Sequence, residues 1–262
     1  MITVLTSFSR RGYDDYGRRF LQTFHKHWPT EVKLLIYHEN QPELGGYDVI
    51  QDVEGCRSFL NRHKDDLVVQ GRQRGETHRW KKECIEDGYN FRFDAYKFCR
   101  KVFAIEHAAN LTKTGKLLWV DADVLTFDNI PLSFLDSMLP DHVCTSHLGR
   151  VNGYHSECGF VGYNLDHPMG LGFIKSFTDL YRYDKFFELP EWHDSWVYDW
   201  IRKKVGAPSF NISTEQAGHV FVTSPLGRYM DHLKGDRKTF GRSRFLEGSK
   251  VPHDHPYWRK PL

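Results

Sequence analysis

The sequence predicts an α/β protein with a mostly parallel, Rossmann-like central sheet, and three observations lead there. A β-rich apolar run at residues 2–7 opens the chain, and apolar residues at helical spacing follow it. A second such run, Val32 to Tyr37, returns after Pro29, which is the strand–helix–strand order of a parallel crossover. In mid-chain a long helical pattern leads into the apolar stretch Leu117, Leu118, Trp119, Val120, which stops at two aspartates, Asp121 and Asp123.

The elements follow in order. Tyr16, Phe20, Leu21, Phe24 and Trp28 share one helical face up to Pro29, and residues 47–50 after Gly45 and Gly46 read as a short third strand. Residues 71–88 break the pattern; they hold Arg72, Arg74, His78, Arg79, Lys81 and Lys82 around Trp80 and read as an irregular insertion. A helix is expected over 93–110, the strand over 117–120, a short helix over 131–138, and a strand over 142–146. The segment 156–164 comes next, then amphipathic helices over 171–187 and 194–204. From Lys234 the chain is rich in Gly, Pro, Arg and His and reads as extended. The 262 residues, 40% of them hydrophobic, are enough for one domain with a substantial core. We divide it into halves at 1–125 and 126–240 and a tail at 241–262.

Bulk properties decide little. Lys and Arg number 36 against 34 Asp and Glu, so net charge singles out no polyanionic partner. Five cysteines without CxxC spacing, and no apolar run of membrane-spanning length, lead us to expect a soluble, cytoplasmic protein with reduced thiols.

Two carboxylates at the mouth of a sheet can reach one hard divalent cation, and oxygen ligands select Mg²⁺ or Mn²⁺. Asp often caps a turn after a strand, so Asp-x-Asp alone is a weak signal. The pattern Leu117, Leu118, Trp119, Val120, Asp121, Ala122, Asp123, Val124, taken with its place after strand–helix repeats, resembles the DxD strand of GT-A glycosyltransferases. Downstream, His232, Gly235 and Lys238 are similar to the His-x-x-Gly-x-x-Lys motif of glycosyltransferase family 8, although Thr239 and Phe240 replace the Pro-Trp expected after it. The resemblance implies a GT-A fold and transfer of a sugar from a nucleotide diphosphate donor, UDP favoured, to an acceptor hydroxyl. It also implies that Asp121, Asp123 and His232 hold Mn²⁺ or Mg²⁺, while Gly235 and Lys238 contact the diphosphate. The first half would then bind the nucleotide-sugar and the second the acceptor. In a doubly wound sheet ligands lie at the carboxyl ends of the strands, so Thr6 and Ser7 are expected beside the nucleotide.

Other positions are weighed against plainer readings. Arg92, Asp94 and Lys97 resemble the charged positions that GT-A enzymes set near the donor, yet they equally suit a solvated helix start with an acidic cap. Glu157, beside Gly159, resembles a carboxylate facing the transferred sugar; the alternative is a surface turn. Asp194 precedes an apolar stripe of Trp196, Val197, Trp200 and Ile201, which makes it a catalytic candidate or an N-cap, and Trp192 stands outside the stripe as a possible sugar platform. The acceptor is a glycan or small molecule, or DNA if the basic insertion binds nucleic acid. Two further readings are a haloacid dehalogenase-like phosphatase, whose motif wants Thr or Val where Leu125 stands, and a non-catalytic nucleotide- or carbohydrate-binding module.

Overall fold

The first apolar run is strand β1 (Ile2–Ser9), and its period-two alternation sends side chains to both faces of the sheet. Leu5 joins one core, while Val4 and Phe8 join the other. The computed structural model describes residues 1–39, 44, 47–72, 88–151, 154–213 and 219–233.

After β1 the chain turns helical: Ser9 caps a single turn, α1 (Arg10–Gly12), which a five-residue π turn (Tyr13–Gly17) joins to α2 (Arg18–His27). α2 buries Phe20, Leu21 and Phe24 and stops where Trp28, held extended by the following proline, cannot continue it. β2 (Lys33–Glu39) and β3 (Asp48–Ile50) follow. Next comes α3 (Glu54–His63), a helix absent from the sequence reading although Cys56, Phe59, Leu60 and His63 keep its spacing. The insertion begins in β4 (Gln70–Arg72), which pairs with β5 (Tyr89–Asp94); Arg74, His78, Arg79, Trp80, Lys81 and Lys82 lie outside the described residues.

The long central helix is α4 (Ala95–Thr112), two residues later than expected because Asp94 is its N-cap and accepts the Lys97 N–H at 2.8 Å. β6 (Lys116–Val120) carries the apolar stretch, and β7 (Val124–Thr126) and α5 (Leu132–Ser137) follow. The strand expected over 142–146 is β8 (Thr145–Leu148), and segment 156–164 is β9 (Glu157–Asn164), buried along its whole length. α6 (Gly170–Arg182) ends before 187, since Asp184 takes a left-handed φ of 57° and a 3-10 turn (Lys185–Glu188) replaces the last helical turn. α7 (Asp194–Lys204), β10 (Ser209–Asn211), α8 (Val220–Thr223), a 3-10 turn (Pro225–Arg228) and β11 (Met230–His232) complete the described chain.

Seven strands form the main sheet in the order β10-β8-β9-β6-β1-β2-β3. It is mostly parallel, but β9 runs antiparallel to both neighbours, β6 and β8. The expected halves share this sheet: β1, β2, β3 and β6 come from residues before 126, and β8, β9 and β10 from residues after it. Because β9 is reversed, its start lies beside the end of β6, with Val120 opposite Phe160. The site is built at that junction.

Candidate functional site

Asp121 leaves β6 with its backbone still tied to the sheet, its N–H donating to the Gly159 carbonyl at 2.9 Å. A turn follows in which the Val124 N–H donates to the Asp121 carbonyl, and β7 then runs antiparallel to β11, with Val124 opposite His232. That register, with the Leu233 N–H donating to the Asp123 carbonyl at 2.9 Å, delivers His232 to the aspartates. His232 Nε2 lies 2.9 Å from Asp123 Oδ1 and 3.5 Å from Asp121 Oδ2. One ligand atom from each of the three falls within 4.8 Å of the others, two oxygens and one nitrogen, a donor set that can hold a divalent cation.

The imidazole is almost fully buried and is held from behind. Its Nδ1 is 3.1 Å from Glu157 Oε1, an ion-pair distance rather than an aligned hydrogen bond, and Glu157 in turn pairs with Arg150. Gly159 makes this packing possible, since a Cβ there would come within 2.3 Å of His232 Nδ1. Glu157 lies in a strand and not in a surface turn. It is 4% exposed and sits behind the histidine, because the alternation of β9 turns it toward β11.

A second charged pair borders the first. Lys101 of α4 is buried, with Nζ 2.7 Å from Asp194 Oδ2, 3.3 Å from Asp121 Oδ1, and donating to the Cys158 carbonyl at 2.6 Å. Burial disfavours its charge, but the carboxylates of Asp121 and Asp194 outweigh that and hold its pKa above the usual lysine range. Burial likewise raises and Lys101 lowers the pKa of Asp194, with the net result below the usual carboxylate range. Asp194 is the first residue of α7, whose N-cap is His193, and the side chain is spent on Lys101. The sequence reading missed Lys101. Its signal was the helical face already carrying Asp94 and Lys97, extended by one turn.

Beside Asp121, Asp123 and Lys101 opens a cleft of about 440 Å³, lined in part also by Ser7, Lys97 and Trp119. Ser7 and Lys97 thus share it with the aspartates, whereas Thr6 is fully buried on the other face of β1. Trp119 Nε1 donates to Asp121 Oδ1 at 2.5 Å and helps fix that carboxylate. Arg92 is not among the lining residues; its guanidinium pairs with Glu191 at 2.9 Å. Trp192 is no exposed platform. It is 8% exposed, its Nε1 donates to the Leu189 carbonyl, and its ring packs on Phe93, Phe186 and Phe187. Trp196 and Trp200 pack partly buried against the same core. Gly235 and Lys238 lie outside the described residues.

The fold is the α/β fold of GT-A glycosyltransferases. The chain is similar to the solved structure of a glycosyltransferase involved in glycosylation of the major capsid of PBCV-1, at 14% identity and a TM-score of 0.50, over 91% of this chain and 97% of that one. It is also similar to mouse xyloside xylosyltransferase 1 in its apo form, at 12% identity and a TM-score of 0.46, over 81% of this chain and 86% of that one. At such identities the likeness is one of fold. No protein-family model matches the chain, and no curated protein matches it by sequence. Among the described residues, no helix is long and apolar enough to cross a membrane.

Proposed function

We propose that this protein is a metal-dependent glycosyltransferase that moves a hexose or pentose from a nucleotide diphosphate donor, UDP favoured, to an acceptor hydroxyl. The observation that carries this reading is the convergence of Asp121, Asp123 and His232 at the cleft where β6 ends, within a GT-A fold. These three would hold Mn²⁺ or Mg²⁺, whose chemistry there is to neutralise charge building on the departing diphosphate. Lys97, at the cleft, meets phosphate charge as a compact cation, and Ser7 at the end of β1 borders the nucleotide. Gly235 and Lys238 are assigned to the diphosphate by motif alone. Lys101 and Trp119 fix Asp121, Glu157 fixes His232, and Asp194 fixes Lys101. We therefore assign Glu157 and Asp194 to positioning.

The family 8 likeness of the His motif leans the reading towards retention of anomeric configuration. The acceptor is a hydroxyl-bearing glycan or small molecule; a gel-shift assay comparing the parent with an Arg72→Ala, Arg74→Ala, Arg79→Ala variant tests DNA in its place. The phosphatase alternative requires a different fold and is set aside. Isothermal titration with UDP decides the main reading: binding that needs Mn²⁺ is expected, and no metal-dependent binding of any common nucleoside diphosphate overturns it. Turnover of a UDP-sugar by the purified protein removes the non-catalytic alternative.

A further inference from the structure

Beside α7 a second group of metal-ligating side chains converges, formed by His155, Glu191 and His193, with one ligand atom from each within 4.8 Å of the others. Glu191 and His193 sit two residues apart in the segment leading to α7, where His193 has extended φ and ψ of −77° and 156°. An extended backbone puts residues i and i+2 on one side. The Trp192 and His193 N–H groups anchor this segment by donating to the Arg92 carbonyl at 2.7 and 3.2 Å. His155 comes from the other direction, from the connection between β8 and β9. Its ring meets that of His193 edge-on, with centroids 4.5 Å apart and planes at 70°.

One of these side chains, Glu191, is already oriented by its second oxygen. Arg92 takes Glu191 Oε1 at 2.9 Å, which turns Oε2 toward His193 Nε2, 2.9 Å away. His193 Nδ1 lies 4.0 Å from Asp194 Oδ1, so a carboxylate stands near the far nitrogen but outside hydrogen-bond distance. A histidine–glutamate ion pair would account for Glu191 and His193 alone. It does not account for a second imidazole, that of His155, set edge-on at 70° to the first, which is itself 2% exposed.

We infer that His155, Glu191 and His193 form a second cation site, of the zinc type, separate from the aspartate site. Two imidazoles and one carboxylate select Zn²⁺ over Mg²⁺ or Ca²⁺, and three protein ligands leave one position of a tetrahedron for water or another ligand. A bound ion would clamp the approach to β9, which carries Glu157, to the start of α7, which carries Asp194. It would thereby tie together the two residues that support the aspartate site from behind. The inference does not depend on the function proposed above.

The test uses the full chain with Asp121→Asn and Asp123→Asn, so that the aspartate site is disabled, and titrates it with Co²⁺ alone as a spectroscopic stand-in for Zn²⁺. The expected result is one equivalent of Co²⁺ with the intense visible absorption of tetrahedral coordination, displaced by Zn²⁺. Adding His155→Gln or Glu191→Gln should weaken binding by about tenfold or more. Circular dichroism of each metal-free variant separates a lost site from a lost fold, and the partly exposed position of His155 makes His155→Gln the milder change. Absence of the tetrahedral spectrum in the parent of this series, or a spectrum that both added substitutions leave unchanged, would overturn the inference. Mn²⁺-dependent UDP binding by the unaltered protein is read separately, so either reading can fail alone.

Discussion

The two charged pairs at the cleft are built alike and behave differently. In each, a residue beside Asp121 is backed by a buried carboxylate: His232 by Glu157, Lys101 by Asp194. On the lysine side the charges match, and both groups stay ionised because each holds the other's pKa outward. On the histidine side, Asp121, Asp123 and Glu157 surround one imidazole. Of the nearby cations, Arg150 reaches Glu157 and the buried Lys101 reaches Asp121. One pair is thus a fixed structural charge, while the other is an acidic cage suited to a cation. Both sites stand close together because the reversed strand β9 supplies Glu157 to one and the Cys158 carbonyl to the other.

The largest expected effect breaks the lysine side. Lys101→Ala leaves Asp194 buried without its cation and should cost about 3–5 kcal/mol of stability by urea unfolding. Adding Asp194→Asn should recover part of that loss. In the unaltered protein the contribution of Asp194 is present above its ordinary pKa of about 4 and is lost as pH falls through the lowered folded value. That of Lys101 is present below about 10.4 and is lost as pH rises through the raised folded value.

The acidic cage is tested next. Asp123→Asn should leave stability nearly unchanged but reduce turnover about 100-fold or more, the equivalent of about 3 kcal/mol or more of leaving-group stabilisation. Equal activity with and without Mn²⁺ in the unaltered protein would remove the contrast between the two sides. A smaller effect is expected from behind His232, where Glu157→Gln should lower Mn²⁺ affinity about 10–100-fold, read by titration. Gly159→Ala should do the same by pushing the ring aside, with about 1–3 kcal/mol of overpacking.

A separate effect lies away from both pairs. Burial and the nearby Arg202 lower the pKa of His147 to about 4, so between about pH 6.5 and 4 the unfolded chain takes up a proton that the native state refuses. Stability should fall across that window as pH drops, and His147→Phe should flatten the slope in urea titrations. An unchanged slope would place the acid sensitivity elsewhere.

Much of the framework could be read from the residues. The alternation in β1 and β6, the stripe in α2 and the aspartates at the end of β6 are patterns within a few residues of one another, and local periodicity reports them directly. α3 escaped because a short stripe with Arg57, Arg62 and Lys64 around it resembles solvated chain. Trp192 was misread because an aromatic outside a helical stripe says nothing of the second layer that covers it, here Phe93, Phe186 and Phe187.

By itself, then, the sequence determined an α/β chain with two carboxylates at a strand end and named a histidine, by motif, 109 residues beyond Asp123. Only the tertiary structure decided which groups stand behind them. The antiparallel course of β9 puts Glu157 and Gly159 against His232, and packing of α4 across the sheet buries Lys101 between Asp121 and Asp194. Strand direction and register are long-range choices, made by burying both faces of a sheet together, and no window of neighbouring residues contains them.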